Sequence, residues 1–191
     1  VRRKRPRKPP ACDVLYTPGP VLVVPRERTG AVLGTKFTPL GLAAIKIIPD
    51  LVFYLAAEPL VREAYKNPVK TINTNVMGLT NFLHSIKDLK STKLIFTVTS
   101  DKVYEHRGGY NKFVETDRLG GVEPYGTSKA MQEMIVKTFY ESYFKQIGTK
   151  MITARAGNVL GGGDWGKDRL IVDIVNSIIF RICPTLALRA K

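Results

Sequence analysis

The pattern of apolar and polar residues becomes regular from Asp50 onward, where short apolar runs alternate with stretches of helical period. Runs rich in β-branched and aromatic residues predict three buried strands, over residues 51–57, 93–99 and 151–156. A turn is expected around Pro59 and Pro68, because proline interrupts regular structure. Apolar residues at steps of three and four predict three helices, over residues 69–89, 125–147 and 170–182.

Strands that alternate with helices of this length predict βαβ crossovers, and hence a parallel sheet covered on both faces. The predicted fold class is therefore α/β, a doubly wound parallel sheet of the Rossmann type. Ligands of such sheets bind beyond the carboxyl ends of the strands. We therefore expect the functional site in the segments that follow Leu55, Thr99 and Ala156.

Residues 1–43 fit this pattern least and are predicted to be an atypical basic, proline-rich segment, separate from a domain over residues 44–191. Prolines break any long strand or helix there, although Val21 to Val24 predict a short edge strand. The segment also lacks a GxxGxxG turn, which would let the backbone approach a pyrophosphate at a helix N-terminus. The Rossmann-type domain is therefore expected to be incomplete at its N-terminal βα unit.

The formal net charge of +14 at pH 7 changes this picture little, because the excess is concentrated at the beginning of the chain. Six basic residues fall within residues 2–8, beside three prolines, a composition typical of a disordered arm. Such an arm binds RNA, DNA or another anion in some proteins, but an uninformative leader is the favoured interpretation. Nucleic acid is therefore not an expected partner.

Metal and membrane sites are not expected either. Cys12 and Cys183 are far apart, and His84 and His106 lack the spacing of metal ligands. The longest apolar stretch, residues 170–180, is shorter than the roughly 20 residues that cross a bilayer, and the basic beginning lacks the pattern of a secretory signal. We expect a cytoplasmic location.

The first candidate for chemistry is the pair Tyr125 and Lys129. Four residues apart at the start of a helix, the two side chains lie on one face, one turn from each other. A nearby ammonium stabilises a phenolate and lowers the pKa of a tyrosine, which makes the tyrosine usable as a base. The spacing alone also occurs by chance, and a surface helix start would explain it equally well.

The second candidate follows the predicted strand over residues 93–99. Ser100, Asp101 and Lys102 place a hydroxyl, a carboxyl and an amine at the carboxyl end of that strand. Such a set can bind a reacting oxygen, give a proton and take one. A polar turn is an equal alternative when this segment is considered alone.

Five motifs in order make the case specific: LAA at 55–57, TNV at 74–76, VTSD at 98–101, YGTSK at 125–129 and RAGN at 155–158. Together they resemble the extended short-chain dehydrogenase/reductase family. Longer stretches such as VTSDKVYE and GGVEPYGTSKA resemble the CDP-glucose 4,6-dehydratases within it. The resemblance implies that the NAD-binding half is present and that most of the carboxyl-terminal substrate domain is missing.

The resemblance implies an NAD-dependent lyase that converts CDP-glucose to CDP-4-keto-6-deoxyglucose. Tyr125 would accept the proton of the sugar C4 hydroxyl, and Lys129 would lower the pKa of that tyrosine and hold the nicotinamide ribose. Ser100 would bind the C4 oxygen, and Asp101 would protonate the departing C6 hydroxyl. Lys102 stands where many relatives place a glutamate that removes the C5 proton, so an amine would serve or assist there.

The resemblance also implies the binding residues. Leu55, Ala56 and Ala57 would let the strand end pass close to the dinucleotide, and Thr74 and Thr99 would line the same cleft. The sugar nucleotide would contact Asn158, and a glycine loop at residues 161–165 would lead to Arg169, a diphosphate contact. Relatives often pair through helices equivalent to 69–89 and 125–147, so a homodimer is one of the oligomeric states that the resemblance leaves open.

Two other interpretations stay open. One is another NAD-dependent sugar-nucleotide epimerase or dehydratase, although a simple epimerase needs no acid such as Asp101 to expel water. The other is not an enzyme but a non-catalytic, degenerate scaffold fragment or a basic-tailed binding protein that kept the scaffold.

Overall fold

A computed structural model of the chain describes residues 21–25, 32–34, 49–106, 108, 112–161 and 169–180. The described residues belong to two compact units, residues 21–161 and the segment that contains a helix over residues 170–180. The basic cluster at residues 2–8, both cysteines and most of the predicted glycine loop lie outside the described residues. The predicted domain boundary at residue 43 stays a prediction.

A five-stranded sheet forms the centre of the first unit. Its strands are β1 (Val21–Pro25), β2 (Val32–Gly34), β3 (Pro49–Tyr54), β4 (Leu94–Val98) and β5 (Lys150–Ala154). They lie in the order β2-β1-β3-β4-β5, and β3, β4 and β5 are parallel, as the α/β pattern predicts. The predicted strand at Val21 to Val24 is present, but it pairs antiparallel with both β2 and β3 and is therefore not an edge.

The helices are α1 (Val61–Lys66), α2 (Pro68–Ile72), α3 (Gly78–Ile86), α4 (Pro124–Phe139) and α5 (Leu170–Phe180). Helix α1 was not predicted, because Pro59 and Pro68 together indicated a turn. Pro68 is instead the first residue of α2, where its missing N–H would have had no helical partner. π-helical turns at Asn73–Met77 and Tyr140–Phe144 continue α2 and α4. None of the helices described in the structure combines the length and apolar character needed to cross a bilayer.

The core lies between one face of the sheet and the helices α3 and α4. Its buried side chains include Val52, Tyr54, Ile95, Leu79, Phe82, Leu83, Ile86, Val136 and Phe144. The predicted apolar helix face is therefore correct from Leu79 onward, but Val69 is 72% exposed. The π turn explains this difference, since one extra residue rotates the preceding turns by roughly 100°. The buried line before Leu79 runs through Thr71 and Asn75 instead.

Candidate active site

The carboxyl ends of β3, β4 and β5 lie at one edge of the sheet, because the three strands are parallel. The segments that follow them cover residues 55–60, 99–104 and 155–161. Backbone pairing continues past β4, since Thr99 N donates to Ala154 O at 2.8 Å and Asp101 N to Ala156 O at 3.0 Å. The candidate residues of the second and third segments are thus held side by side.

The segment after β4 is a short 3-10 turn, Asp101–Val103, capped by a buried serine. Ser100 Oγ accepts a hydrogen bond from Lys102 N at 3.2 Å and lies 3.2 Å from Asp101 Oδ1, to which it donates. The side chains of Asp101 and Lys102 are 56% and 45% exposed, with 3.9 Å between Oδ1 and Nζ. The strand end therefore offers one buried hydroxyl and two charged groups that an incoming molecule can reach.

Helix α4 begins at this same place. Glu123 caps it, because its Oε2 accepts from Tyr125 N and its Oε1 from Gly126 N, both at 2.7 Å. A carboxylate at a helix N-terminus also interacts favourably with the helix dipole. Tyr125 stands in the first turn and is 9% exposed.

A close contact joins α4 to the 3-10 turn. A β-carbon on Gly126 would lie only 2.8 Å from the carbonyl oxygen of Lys102, so only glycine allows this approach. The contact brings the first turn of α4, which carries Tyr125, against the turn that carries Asp101 and Lys102. The start of α4 and the end of β4 thus lie in contact, and the two sets of candidate residues are neighbours.

Lys129 is buried one turn farther along α4, with 3% of its surface exposed. Its Nζ donates to the carbonyl oxygen of Val98, the last residue of β4, at 3.2 Å. Burial disfavours a charged amine and lowers the pKa of Lys129 to about 8. The predicted pair thus lies about one helical turn apart on α4, with Tyr125 in the first turn and Lys129, whose pKa is lowered, in the next.

The segment after β3 presents backbone rather than reactive side chains. Ala56 and Ala57 are buried, while Leu55 is 42% exposed. The backbone of Glu58 is fixed by Asn75, whose Oδ1 accepts from Glu58 N at 2.7 Å and whose Nδ2 donates to Glu58 O at 3.2 Å. This segment is therefore held in place from the adjacent π turn.

The same asparagine connects this segment to α4, a connection that sequence reasoning missed. Asn75 Nδ2 also donates to Ser128 Oγ at 2.8 Å, and Gln132 Nε2 donates to Asn75 O at 2.7 Å. Asn75, Ser128 and Gln132 are fully buried. No local pattern in the sequence signals this junction, because the partners of Asn75 lie 17 to 57 residues away along the chain.

The remaining predicted residues are more scattered. Thr74 is half-buried in the π turn with Asn75, and Asn158 is exposed after β5. The hydroxyl of Thr99 donates to Glu133 Oε1 at 2.5 Å, a partner that the sequence did not indicate. Arg169 precedes α5 in the second unit, where its carbonyl oxygen accepts from Asp173 N at 2.9 Å. The roles of these residues stay predictions.

The sequence of the chain is similar to those of known proteins. The family model described as GDP-mannose 4,6 dehydratase matches residues 42–178. A CDP-glucose 4,6-dehydratase from Salmonella typhimurium is 42% identical over 134 residues, which cover 68% of this chain and 37% of that protein. A UDP-glucose 4-epimerase from Lactobacillus helveticus is 31% identical over 180 residues, 87% of this chain and 51% of that protein. The chain thus spans 37% and 51% of the lengths of these two relatives.

Solved structures support the same fold. A dTDP-glucose 4,6-dehydratase from Streptomyces venezuelae, crystallised with NAD and TYD bound, superposes with a TM-score of 0.67 at 22% identity. The match covers 75% of this chain and 42% of that one. With the family model covering most of the chain, these observations show that the chain belongs to the GDP-mannose 4,6-dehydratase family of extended short-chain dehydrogenases/reductases.

Proposed function

We propose that this chain belongs to a sugar-nucleotide 4,6-dehydratase that converts CDP-glucose to CDP-4-keto-6-deoxyglucose with NAD. The observation that carries the proposal is the contact between the first turn of α4, with Tyr125, and the strand end with Ser100 and Asp101. The choice of CDP is supported by the similarity to the Salmonella typhimurium enzyme. The choice of a 4,6-dehydration is supported by an acid beside the tyrosine site, which a simple epimerase does not need.

NAD, when bound, would supply a hydride acceptor that returns the hydride later in the same cycle. The residues after β3 fit a dinucleotide, because the methyl side chains of Ala56 and Ala57 leave the backbone approachable and Asn75 holds that backbone in place. Thr74 and Thr99 would lie along the same cleft. Lys129 of α4, whose Nζ donates to the carbonyl oxygen of the last residue of β4, would hold the nicotinamide ribose.

The first proton transfer falls to Tyr125. Its phenolate accepts the proton of the sugar C4 hydroxyl as that carbon is oxidised, and Ser100 hydrogen-bonds the same oxygen. The ammonium of Lys129 stabilises the phenolate, since an opposite charge nearby favours the charged form of a titratable group. General base catalysis of this kind contributes roughly 100- to 10,000-fold in rate.

Elimination of water then needs one proton removed from C5 and one delivered to the C6 oxygen. Asp101 delivers the second proton, and its 56% exposed side chain is accessible to a bound sugar. Lys102, the next residue on the same turn, accepts the proton from C5 or assists its removal. Asn158, in the same unit, would contact the rest of the sugar nucleotide.

The test is incubation of the full chain with NAD and, separately, CDP-, dTDP-, UDP- and GDP-glucose, followed by mass spectrometry. We expect a product lighter by one water from CDP-glucose, and a rate lowered roughly 100- to 10,000-fold in Tyr125→Phe. Tyr143→Phe is the matched control, because Tyr143 is 43% exposed and lies farther along the same helical segment. A full rate in Tyr125→Phe would refute the assignment of the base.

The epimerase alternative gives a different result in the same experiment. An epimer of UDP-glucose has unchanged mass and separates by chromatography, so its appearance without a dehydrated product would replace the proposed reaction. The similarity to the Lactobacillus helveticus epimerase makes this the second candidate. Absence of any product from all four sugar nucleotides would contradict both.

A further inference from the structure

Glu133 forms a buried junction between α4 and the ends of two strands. It lies one turn beyond Lys129 and is 7% exposed. Its Oε1 accepts from the Thr99 hydroxyl at 2.5 Å, and its Oε2 accepts from the Thr153 hydroxyl at 2.8 Å and from Arg155 Nη2 at 3.1 Å. One carboxylate therefore connects the helix that carries Tyr125 to the ends of both β4 and β5.

Arg155 extends this junction. Its other terminal nitrogen, Nη1, donates to the Glu115 carbonyl oxygen at 3.0 Å, and its guanidinium lies 4.9 Å from the ring centre of Tyr104. Burial alone would lower the pKa of Arg155, but hydrogen bonds with Glu133 and Tyr104 raise it above its ordinary value. The guanidinium of Arg155 is therefore charged at neutral pH, and each oxygen of the buried Glu133 side chain accepts at least one hydrogen bond, as buried polar groups require.

Lys129 makes the other polar connection between α4 and β4, through the Val98 carbonyl oxygen. In the proposed function its ammonium serves Tyr125 and the cofactor, so it cannot also act as a permanent connection. Of the residues given a role, Glu133 contacts Thr99, which would line the cofactor cleft and immediately precedes Ser100. No contact given for the Glu133 side chain joins it to Tyr125, Ser100 or Asp101.

We propose that Glu133 is a positioning residue whose carboxylate sets the separation between Tyr125 on α4 and Ser100 and Asp101 at the end of β4. The proposal rests on the proposed function for its effect on catalysis. A misplacement of about 1 Å between reacting groups lowers rates by roughly 100-fold, so a junction of this kind acts on kcat without touching the substrate.

The test compares Glu133→Gln with Glu141→Gln in the full chain. Glutamine keeps the volume of Glu133 but has one acceptor oxygen in place of two, so it cannot satisfy all three donors. We expect kcat for CDP-glucose to fall roughly 10- to 100-fold with KM changed by less than about 3-fold. Glu141 is an exposed residue farther along the same helical segment, paired only with Lys145 among the contacts given for its side chain, and its variant should keep the wild-type kcat.

A second measurement separates failure of this proposal from failure of the proposed function. Amide hydrogen exchange, measured without substrate, reports the backbone bonds that Thr99 and Asp101 donate to the end of β5. Glu133→Gln should accelerate exchange at these two amides and leave the amides inside β4 protected. If the wild type turns over no sugar nucleotide, the proposed function fails, while the exchange result still decides the role of Glu133.

Two results would overturn the proposal. The first is unchanged exchange at Thr99 and Asp101 in Glu133→Gln. The second is a uniform loss of folded protein in which the remaining folded fraction keeps the wild-type kcat, since that would indicate stability alone. If Glu133→Gln does not fold, Thr153→Val removes a single hydrogen bond of the junction and should give the same pattern with a smaller amplitude.

Discussion

The carboxyl ends of β3 and β4 lie at the same edge of the sheet, but the segments that follow them present different chemical groups. The segment after β3 has buried alanines and a backbone fixed by Asn75, so it presents a smooth surface with few reactive groups. The segment after β4 has a hydroxyl, a carboxylate and an amine within three residues, beside the first turn of α4. One end suits close approach of a flat cofactor, and the other suits proton transfer.

Each end is fixed by its own buried polar side chain. Asn75 serves the β3 end through both backbone groups of Glu58, and Glu133 serves the β4 end through Thr99. Both reach α4, where Ser128 and Gln132 meet Asn75 and where Glu133 itself is located. The two ends are therefore fixed by two networks that share no hydrogen bond among those given, so each network can be disrupted alone to test the proposed roles.

The largest expected effect comes from Asn75→Ala, which disrupts the β3 end. It leaves the buried N–H and C=O of Glu58 without this partner, and each such loss costs roughly 1–3 kcal/mol. We expect the free energy of unfolding, measured in urea, to fall by about 3 kcal/mol, and NAD binding to weaken. Asn73→Ala is the matched control, because Asn73 is exposed in the same π turn. Unchanged NAD affinity in a folded Asn75→Ala protein would show that the β3 end does not serve the cofactor.

The sequence predicted the parallel strands and the main helices because their signals are local. A run such as LIFTV at Leu94–Val98 indicates a buried strand by composition alone. Helix α1 and the π turn at Asn73–Met77 were not predictable in this way. Proline is common both at the start of a helix and in a turn, so its presence does not distinguish the two. The inserted residue of a π turn becomes evident only when packing shows which side of the helix is buried.

The candidate site was predictable in part for the same reason. Tyr125 and Lys129 were found because an i, i+4 spacing is a local pattern, and the structure places them beside the strand end after β4. Asn75 and Glu133 were missed because their partners lie 17 to 57 residues away in sequence. Only the folded chain reveals which polar residues share a buried junction.

The next effect in size is that of Gly126→Ala, which tests the β4 end. A β-carbon at Gly126 would stand 2.8 Å from Lys102 O and 3.0 Å from Glu123 Oε1, so the 3-10 turn must move away from α4. We expect kcat to fall roughly 100-fold, because Asp101 and Tyr125 lose their relative position, while NAD affinity stays near that of the wild type.

Gly78→Ala is the control for this variant. Gly78 lies at the start of α3 with the Tyr54 hydroxyl oxygen 3.4 Å from an added β-carbon, and alanine favours a helix over glycine by roughly 0.5–1 kcal/mol. Its kcat should be unchanged. The comparison between the two strand ends would be wrong if Gly126→Ala weakened NAD binding as much as Asn75→Ala does.

The smallest effect concerns Lys129, which lies between the two networks. Its pKa of about 8, against 10.5 when unburied, means that the folded state binds fewer protons than the unfolded state between pH 8 and 10.5. The free energy of unfolding therefore gains a contribution that rises with pH through this window and is absent below it. At about 1.4 kcal/mol per pH unit, keeping the buried ammonium at pH 7 costs roughly 3 kcal/mol.

Lys129→Met removes that cost but also loses the bond to Val98 O. We expect the variant to be about 1–3 kcal/mol more stable than the wild type at pH 7 and to lose most of this advantage by pH 10, as measured by urea unfolding. Lys137→Met, at an exposed position on the same helix, should show no such pH dependence. A constant difference between Lys129→Met and the wild type from pH 7 to 10 would mean that burial does not tune this amine, and the lysine would then belong to the structural networks rather than to the chemistry at the β4 end.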